Sequence, residues 1–151
     1  MKIDWGPLRQ EFSDWRAANL ELPFWWRDDD AIEPSQELDQ LIILAEKTNV
    51  PVHLAVIPRD ATHALASKVT ETDVLIPVVH GWAHQNHAAA DLKKAEFGAT
   101  RARRDCAKDM QNALRDMKEL FGGRLAAMFV PPWNRIDPAL MIPLAEAGYD
   151  A

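Results

Sequence analysis

Short apolar runs alternate along most of the chain with segments in which apolar residues recur every three or four positions. A run of about four to eight apolar residues bounded by turn residues is typical of a buried strand, whereas the wider spacing indicates a helix. The pattern predicts four strands, with a fifth beginning at the C-terminal Tyr-Asp-Ala. The four predicted strands are 22–26, 50–58, 74–80 and 125–130.

The segments between these runs predict helices. Within residues 1–20, Leu8, Phe12 and Trp15 share one face, so we expect an amphipathic helix lying against the rest of the domain. Serine and aspartate cap helices well, and proline is favoured at the first helical position. The other helices are predicted after a cap at Ser35, after a cap at Asp60 to about 69, over about 100–121, and from Asp137 to 147.

Uniformly apolar strands that alternate with helices predict an α/β fold with a parallel sheet covered by helices. The length of 151 residues suits a single domain, 1–151, in which a helix within 1–20 precedes βα units over 22–151. In such folds the functional site lies at the carboxyl ends of the strands.

Composition narrows the class of protein. The formal charge of −6 and an isoelectric point near 5.3 disfavour a nucleic-acid partner. The single cysteine, Cys106, excludes an intramolecular disulfide and a multi-cysteine zinc site. The N-terminal residues lack the apolar core of a signal peptide, and the apolar runs are too short to span a membrane, so we expect a cytoplasmic protein.

Three polar clusters stand at predicted strand ends: Asp28 to Asp30, His80 to His87, and the loop 131–135. The carboxyl ends of parallel strands converge on one edge of a sheet, so we expect these clusters to meet. Two imidazoles and a carboxylate form a ligand set suited to a divalent ion such as zinc. The sequence therefore predicts a metal site made by His80, His84 and one aspartate.

The segments RDDD, HGWAH and FVPPW occur in this order and resemble the first three motifs of the polysaccharide deacetylase family, carbohydrate esterase family 4. That family also includes chitooligosaccharide deacetylases, and the resemblance covers about 24–151. It implies a distorted (β/α) barrel of the polysaccharide deacetylase type, incomplete here, with about four to five of seven βα units.

The resemblance also implies roles for individual residues. Asp28 corresponds to the catalytic base and Asp29 to a metal ligand, while Asp30 stands where a glycine is usual. His80 and His84 correspond to the histidine ligands. The substrate groove is expected to involve Trp82, Pro132, Trp133 and Arg135.

Two departures from the family pattern concern its catalytic groups. Val130 stands where the family has an arginine that orients the base, and Arg27 or Arg135 is a candidate substitute. No histidine lies beyond His87, whereas the family takes its general acid from a later histidine. Arg27, Asp30 and His87 are expected to support the site from behind the ligands.

The function implied by the resemblance is removal of an acetyl group from an N- or O-acetylated sugar, or from a related small amide, with zinc as cofactor. The alternative is an inactive member that binds metal and carbohydrate, or a fragment of a longer deacetylase. A barrel amidohydrolase is disfavoured because the first predicted strand is not followed by two histidines separated by one residue. An open sheet edge would favour a homodimer or a further segment.

Overall fold

A computed structural model describes residues 3–21 and 23–151. Its centre is a parallel four-stranded sheet in which strands that are consecutive in sequence are neighbours in space. The sheet is curled into part of a barrel, which confirms the predicted α/β class. The strands are β1 (Arg27–Ala31), β2 (Val52–Val56), β3 (Leu75–His80) and β4 (Phe129–Val130).

Helices connect the strands and cover the outer face of the sheet. Short 3₁₀ turns occur at Pro58–Asp60, Gly122–Arg124, Pro132–Asn134 and Pro138–Leu140. In the described part of the chain no helix is both long and apolar enough to cross a membrane. The helices are α1 (Gly6–Ala17), α2 (Gln36–Thr48), α3 (His63–Thr70), α4 (Arg103–Phe121) and α5 (Met141–Ala147).

Helix caps follow the sequence signals in two of three cases. The Ser35 hydroxyl accepts the amide of Leu38 at the start of α2, as predicted. At α3 the expected cap, Asp60, was wrong, because Thr62 accepts the amide of Leu65 instead. Asp60 lies in the preceding 3₁₀ turn. Asp137 caps the last helical segment through the amide of Ala139.

The first strand lies later than its apolar signal predicts. Leu22 is outside the described residues, 23–26 form no regular strand, and β1 consists of Arg27–Ala31. Pairing starts just before β1, where the Trp26 carbonyl accepts the amide of His53. Since β1 is an edge strand with exposed side chains, burial does not require it to be apolar. The three aspartates therefore lie inside the strand rather than after it.

The main core lies between the outer face of the sheet and the helices. Alternate residues of the strands point to opposite faces. Val52, Leu54 and Val56 on β2 join the large core on the helix side. The inner face buries a smaller cluster of Ala55, Val78 and Val130. His80, two residues after Val78, lies on this inner face.

Helix α1 forms over the expected segment but does not pack as expected. None of its residues is buried, and Leu8 and Phe12 are 44% and 38% exposed. Its apolar side faces the segment that follows it, where the ring centroids of Phe12 and Phe24 are 6.2 Å apart. The predicted packing against the body of the domain was wrong.

The C-terminal residues run beside β4. The amide of Asp150 donates to the Ala127 carbonyl at 2.8 Å, and the amide of Phe129 donates to the Ala151 carbonyl at 2.6 Å. Residues 149–151 form no regular strand beyond these two bonds, so the expected start of a fifth strand stays a prediction.

Candidate metal centre

His80 ends β3 and is almost fully buried, with 2% exposure. Its Nδ1 lies 3.0 Å from the carbonyl oxygen of Val130 on the neighbouring strand. When Nδ1 carries the proton, it donates to this carbonyl and leaves the Nε2 lone pair free for a ligand. Burial lowers the pKa of His80 and outweighs the nearby carboxylates, which favours the neutral imidazole that binds metal ions.

His84 reaches the same point through a tight reversal of the chain after β3. Gly81 and His84 both have a left-handed backbone, with φ of 62° and 51°. The two imidazole centroids are consequently only 5.2 Å apart. The Trp133 ring packs against the His84 ring at a centroid distance of 4.2 Å and limits its rotation.

Asp30 comes to the histidines because β1 contains an irregularity. Asp28 pairs with Leu54 and Ala31 with Val56, so three steps along β1 match two along β2. Such a bulge redirects side chains. Asp30 takes a left-handed backbone with φ of 68°, which aspartate tolerates better than most residues. Its Oδ1 lies 3.1 Å from Nε2 of His80 and 3.2 Å from Nε2 of His84.

These three atoms suit a common divalent ion. The candidate ligand atoms of Asp30, His80 and His84 all lie within 4.8 Å of one another. Two ligands at zinc bond lengths in a tetrahedral site are about 3.4 Å apart, close to the two observed nitrogen-to-oxygen distances. Asp30 is more than half exposed, so this side of the cluster is open to solvent.

Asp29 faces a different partner. Arg27 approaches it through two nitrogens, with Nε 2.6 Å from Oδ1 and a terminal nitrogen 2.9 Å from Oδ2. The same terminal nitrogen donates to Oδ1 of Asn134 at 2.9 Å. Asn134 follows the third motif, so Arg27 links the first and third motifs. Arg135 instead donates to the carbonyl of Lys94.

Asp28 precedes Asp29 in β1 and pairs with Leu54 just before the irregularity. Within residues 3–21 and 23–151 it has no ion-pair partner. Partial burial, followed by the negative charges of Asp29 and Asp30, raises the pKa of Asp28. The role of Asp28 as base and that of Asp29 as ligand are not tested by these contacts and stay predictions.

The other residues predicted for the groove, and His87 as a predicted supporting residue, occupy different positions in the structure. Trp82 packs against the large core, and Pro132 is buried beside Gly81. Trp133 lies over His84 with a left-handed backbone, φ of 55°. The side chain of His87 is exposed, and its amide donates to the carbonyl of Ala95.

Two residues of the site escaped sequence reasoning. Asn134 holds Arg27, and Glu96 is fully buried against the loop that carries the histidines. Asn134 lies in the loop 131–135 that the sequence marks as a polar cluster, but nothing in the sequence distinguishes it within that loop. Glu96 had a signal, because it is an acid between Ala95 and Phe97 at the end of an otherwise polar loop.

The fold and this site can be compared with known proteins. No protein-family model and no curated protein matches the sequence. Solved structures do match. A family 4 carbohydrate esterase from Streptomyces lividans, in complex with acetate, superposes with a TM-score of 0.62 at 13% identity, over 82% of this chain and 58% of that one. The fold is that of the family 4 carbohydrate esterases.

IcaB from Ammonifex degensii superposes with a TM-score of 0.68 at 17% identity. The match covers 93% of this chain and 64% of IcaB. This chain therefore spans less than two thirds of each of these two structures. The expected incomplete barrel of the polysaccharide deacetylase type is confirmed at the level of the fold.

Proposed function

We propose that this chain carries the metal-binding half of a deacetylase site, and that its reaction is hydrolysis of an acetyl group on an N- or O-acetylated sugar. One observation carries the proposal: Oδ1 of Asp30 lies within 3.2 Å of Nε2 on both His80 and His84. It is supported by the carbohydrate-esterase fold and by the acetate in the Streptomyces lividans structure.

We propose Asp30, His80 and His84 as the ligands of a divalent ion. Zinc is the proposed ion, since two imidazoles and one carboxylate are a ligand set it favours. This places the first motif one residue later than the resemblance suggests. Asp29, rather than Asp28, is then the proposed general base. When bound, a divalent ion at this position supplies an activated water and a Lewis acid for the acyl carbonyl.

Side chains and one backbone amide of the protein supply the general base, its orientation and the oxyanion donor. Asp29 accepts the proton of the attacking water, and Arg27 holds that carboxylate in one orientation through its two nitrogens. Asn134 fixes Arg27 from the opposite side. Arg27 thereby takes the role that Val130 cannot perform. The Trp133 amide is the proposed donor to the developing oxyanion, and the indole is a platform for a sugar ring.

The alternative function is binding of metal and carbohydrate without turnover. It is favoured by one observation: in the described residues, neither His53 nor His87 belongs to the cluster that Asp30, His80 and His84 form. His53 packs edge-on against Trp25, and the side chain of His87 is exposed. Acetate release from acetylated chitooligosaccharides separates the two functions, because only the deacetylase produces acetate. A homodimer and a cytoplasmic location stay predictions.

The first test is the metal content of the purified protein, measured by plasma mass spectrometry after exchange into metal-free buffer with one equivalent of zinc. We expect about one zinc per wild-type chain and a loss of bound zinc in His84→Ala. His63→Ala is the matched control, because His63 is exposed at the start of α3. Zinc retained by His84→Ala, or absent from the wild type, would contradict the proposal.

A further inference from the structure

Glu96 is a fully buried acid in the long loop between β3 and α4. The backbone of the residues on either side of Glu96 is held by hydrogen bonds. The Ala95 amide donates to the side chain of Asn86, and the Phe97 carbonyl accepts the amide of Asp137. Phe97 also forms a bridge with Ile136. A short stretch of an otherwise exposed loop is thus held in the interior.

The carboxylate of Glu96 binds the turn that joins the two histidines. Oε1 accepts the amide of Ala83 at 2.8 Å, and Oε2 accepts the amide of Trp82 at 3.2 Å. Successive amides that point to one side form an anion-binding concavity. Here the anion is a side chain of the protein. Burying a carboxylate is costly unless it is hydrogen-bonded, so these two donors account for its stability in the interior.

The fit around Gly81 shows how closely the carboxylate approaches the turn. A Cβ atom at Gly81 would lie 2.3 Å from Oε2 of Glu96 and 2.6 Å from Cγ of Pro132. Only glycine leaves room for both neighbours. The turn is thereby packed between Glu96 and the third motif, with His80 before it and His84 after it.

We infer that Glu96 is the positioning residue that sets the distance between the His80 and His84 nitrogens, and so the affinity of the site for zinc. The part of this inference that concerns zinc rests on the proposed function. Its physical basis is the two amide bonds to Glu96. Without them, the part-buried amide of Trp82 and the buried amide of Ala83 would lose their acceptor, and the left-handed backbone of His84 would lose its support.

The test is Glu96→Gln, with zinc affinity measured by competition with a chromophoric chelator. Glutamine keeps the size of the side chain but has a single acceptor oxygen, so one of the two amides loses its partner. We expect the dissociation constant for zinc to rise about 10- to 100-fold. Glu96→Ala removes both acceptors and should raise it further.

Val69→Ala is the matched control for loss of stability, since Val69 is fully buried in α3 and belongs to the large core on the helix side of the sheet. It should lower the unfolding temperature and leave zinc affinity unchanged. An unchanged affinity in Glu96→Gln would overturn the inference, as would an equal loss of affinity in Val69→Ala.

Nuclear magnetic resonance of the metal-free protein provides a second readout. In Glu96→Gln, the ring signals of His80 and His84 and the amide signals of Trp82 and Ala83 should shift, whereas Val69→Ala should leave them in place. If the wild type binds no zinc, the proposed function fails, and these signals decide the role of Glu96. Unchanged ring signals would overturn it.

Discussion

Arg27 and Asp29 form a two-point ion pair two residues apart on an edge strand, and Asn134 completes it from the far side of the sheet. The pair lies within a strand whose next residue, Asp30, contacts both histidines. One short segment therefore holds a candidate ligand, a candidate base and the arginine that is paired with that candidate base. Val130 cannot replace Arg27 in this ion pair, because its side chain is apolar. Its carbonyl oxygen instead lies 3.0 Å from Nδ1 of His80.

Replacing Arg27 with lysine tests the ion pair. Lysine keeps the positive charge but lacks the planar fork that binds two carboxylate oxygens. We expect kcat for acetate release to fall about 10- to 100-fold with little change in KM, and bound zinc to stay at the wild-type level. Arg115→Lys, on the exposed face of α4, is the control. A kcat equal to that of the wild type would remove Arg27 from the mechanism.

Separate substitutions of the first two aspartates decide between the two registers of the first motif. If Asp29 is the base, Asp29→Asn should reduce acetate release by about 100-fold or more, while Asp28→Asn keeps most of the activity. Both variants should retain zinc, and Asp30→Asn should bind it more weakly. The reverse order of activities would restore Asp28 as the base and Asp29 as the ligand.

The raised pKa of Asp28 predicts a pH-dependent stability. Because the folded protein binds this proton more tightly than the unfolded chain, the free energy of unfolding falls as pH rises from the ordinary value of 3.8 through the folded pKa. Asp28→Asn has no such loss. It should be more stable than wild type at pH 7, and the difference should be small because the group is partly exposed.

Urea unfolding at pH 7 and at about pH 3 checks this expectation, since the difference should shrink when the wild-type carboxyl is protonated. Asp105→Asn is a control that should lower the free energy of unfolding. Asp105 lies in the first turn of α4, where its negative charge interacts favourably with the helix dipole. A constant difference between wild type and Asp28→Asn at both pH values would contradict the pKa shift.

The turn between the histidines predicts a large effect of a single methyl group. Gly81→Ala introduces a Cβ that overlaps both Glu96 and Pro132 and forces alanine into a left-handed backbone. We expect a loss of roughly 2–5 kcal/mol in the free energy of unfolding, together with weaker zinc binding. Gly123→Ala is the control, since nothing lies within 4 Å of its Cβ position. Equal stability of the two variants would show that the turn accommodates the added methyl group, and would contradict this prediction.

The prediction from sequence succeeded where a local pattern is repeated or buried. β2 and β3 are apolar on both faces, so their runs mark them clearly. β1 was placed too early because its residues are polar and the aromatic run before it is not a strand. The packing of α1 was wrong because its apolar spacing does not specify which surface it contacts.

In the candidate site too, local patterns predicted some residues correctly and were insufficient for others. Motif spacing alone was enough to select His80 and His84, since His80 ends a strand with a clear apolar pattern and His84 follows it four residues later. Spacing was insufficient among three consecutive aspartates, because a single extra residue in β1 decides which carboxylate faces the histidines. A bulge depends on the register with β2, and register is a relation between strands.

The amino-acid sequence by itself determined the order of strands and helices, the parallel sheet and the choice of His80 and His84 as candidate ligands. These depend on the alternation of apolar and polar residues and on fixed spacing along the chain. Only the tertiary structure decided that Asp30 meets the histidines, that Arg27 pairs with Asp29, and that Glu96 holds the intervening turn. Each of these contacts joins residues from different strands or loops, or depends on a local twist of the backbone. Packing and hydrogen bonding across the fold therefore set them.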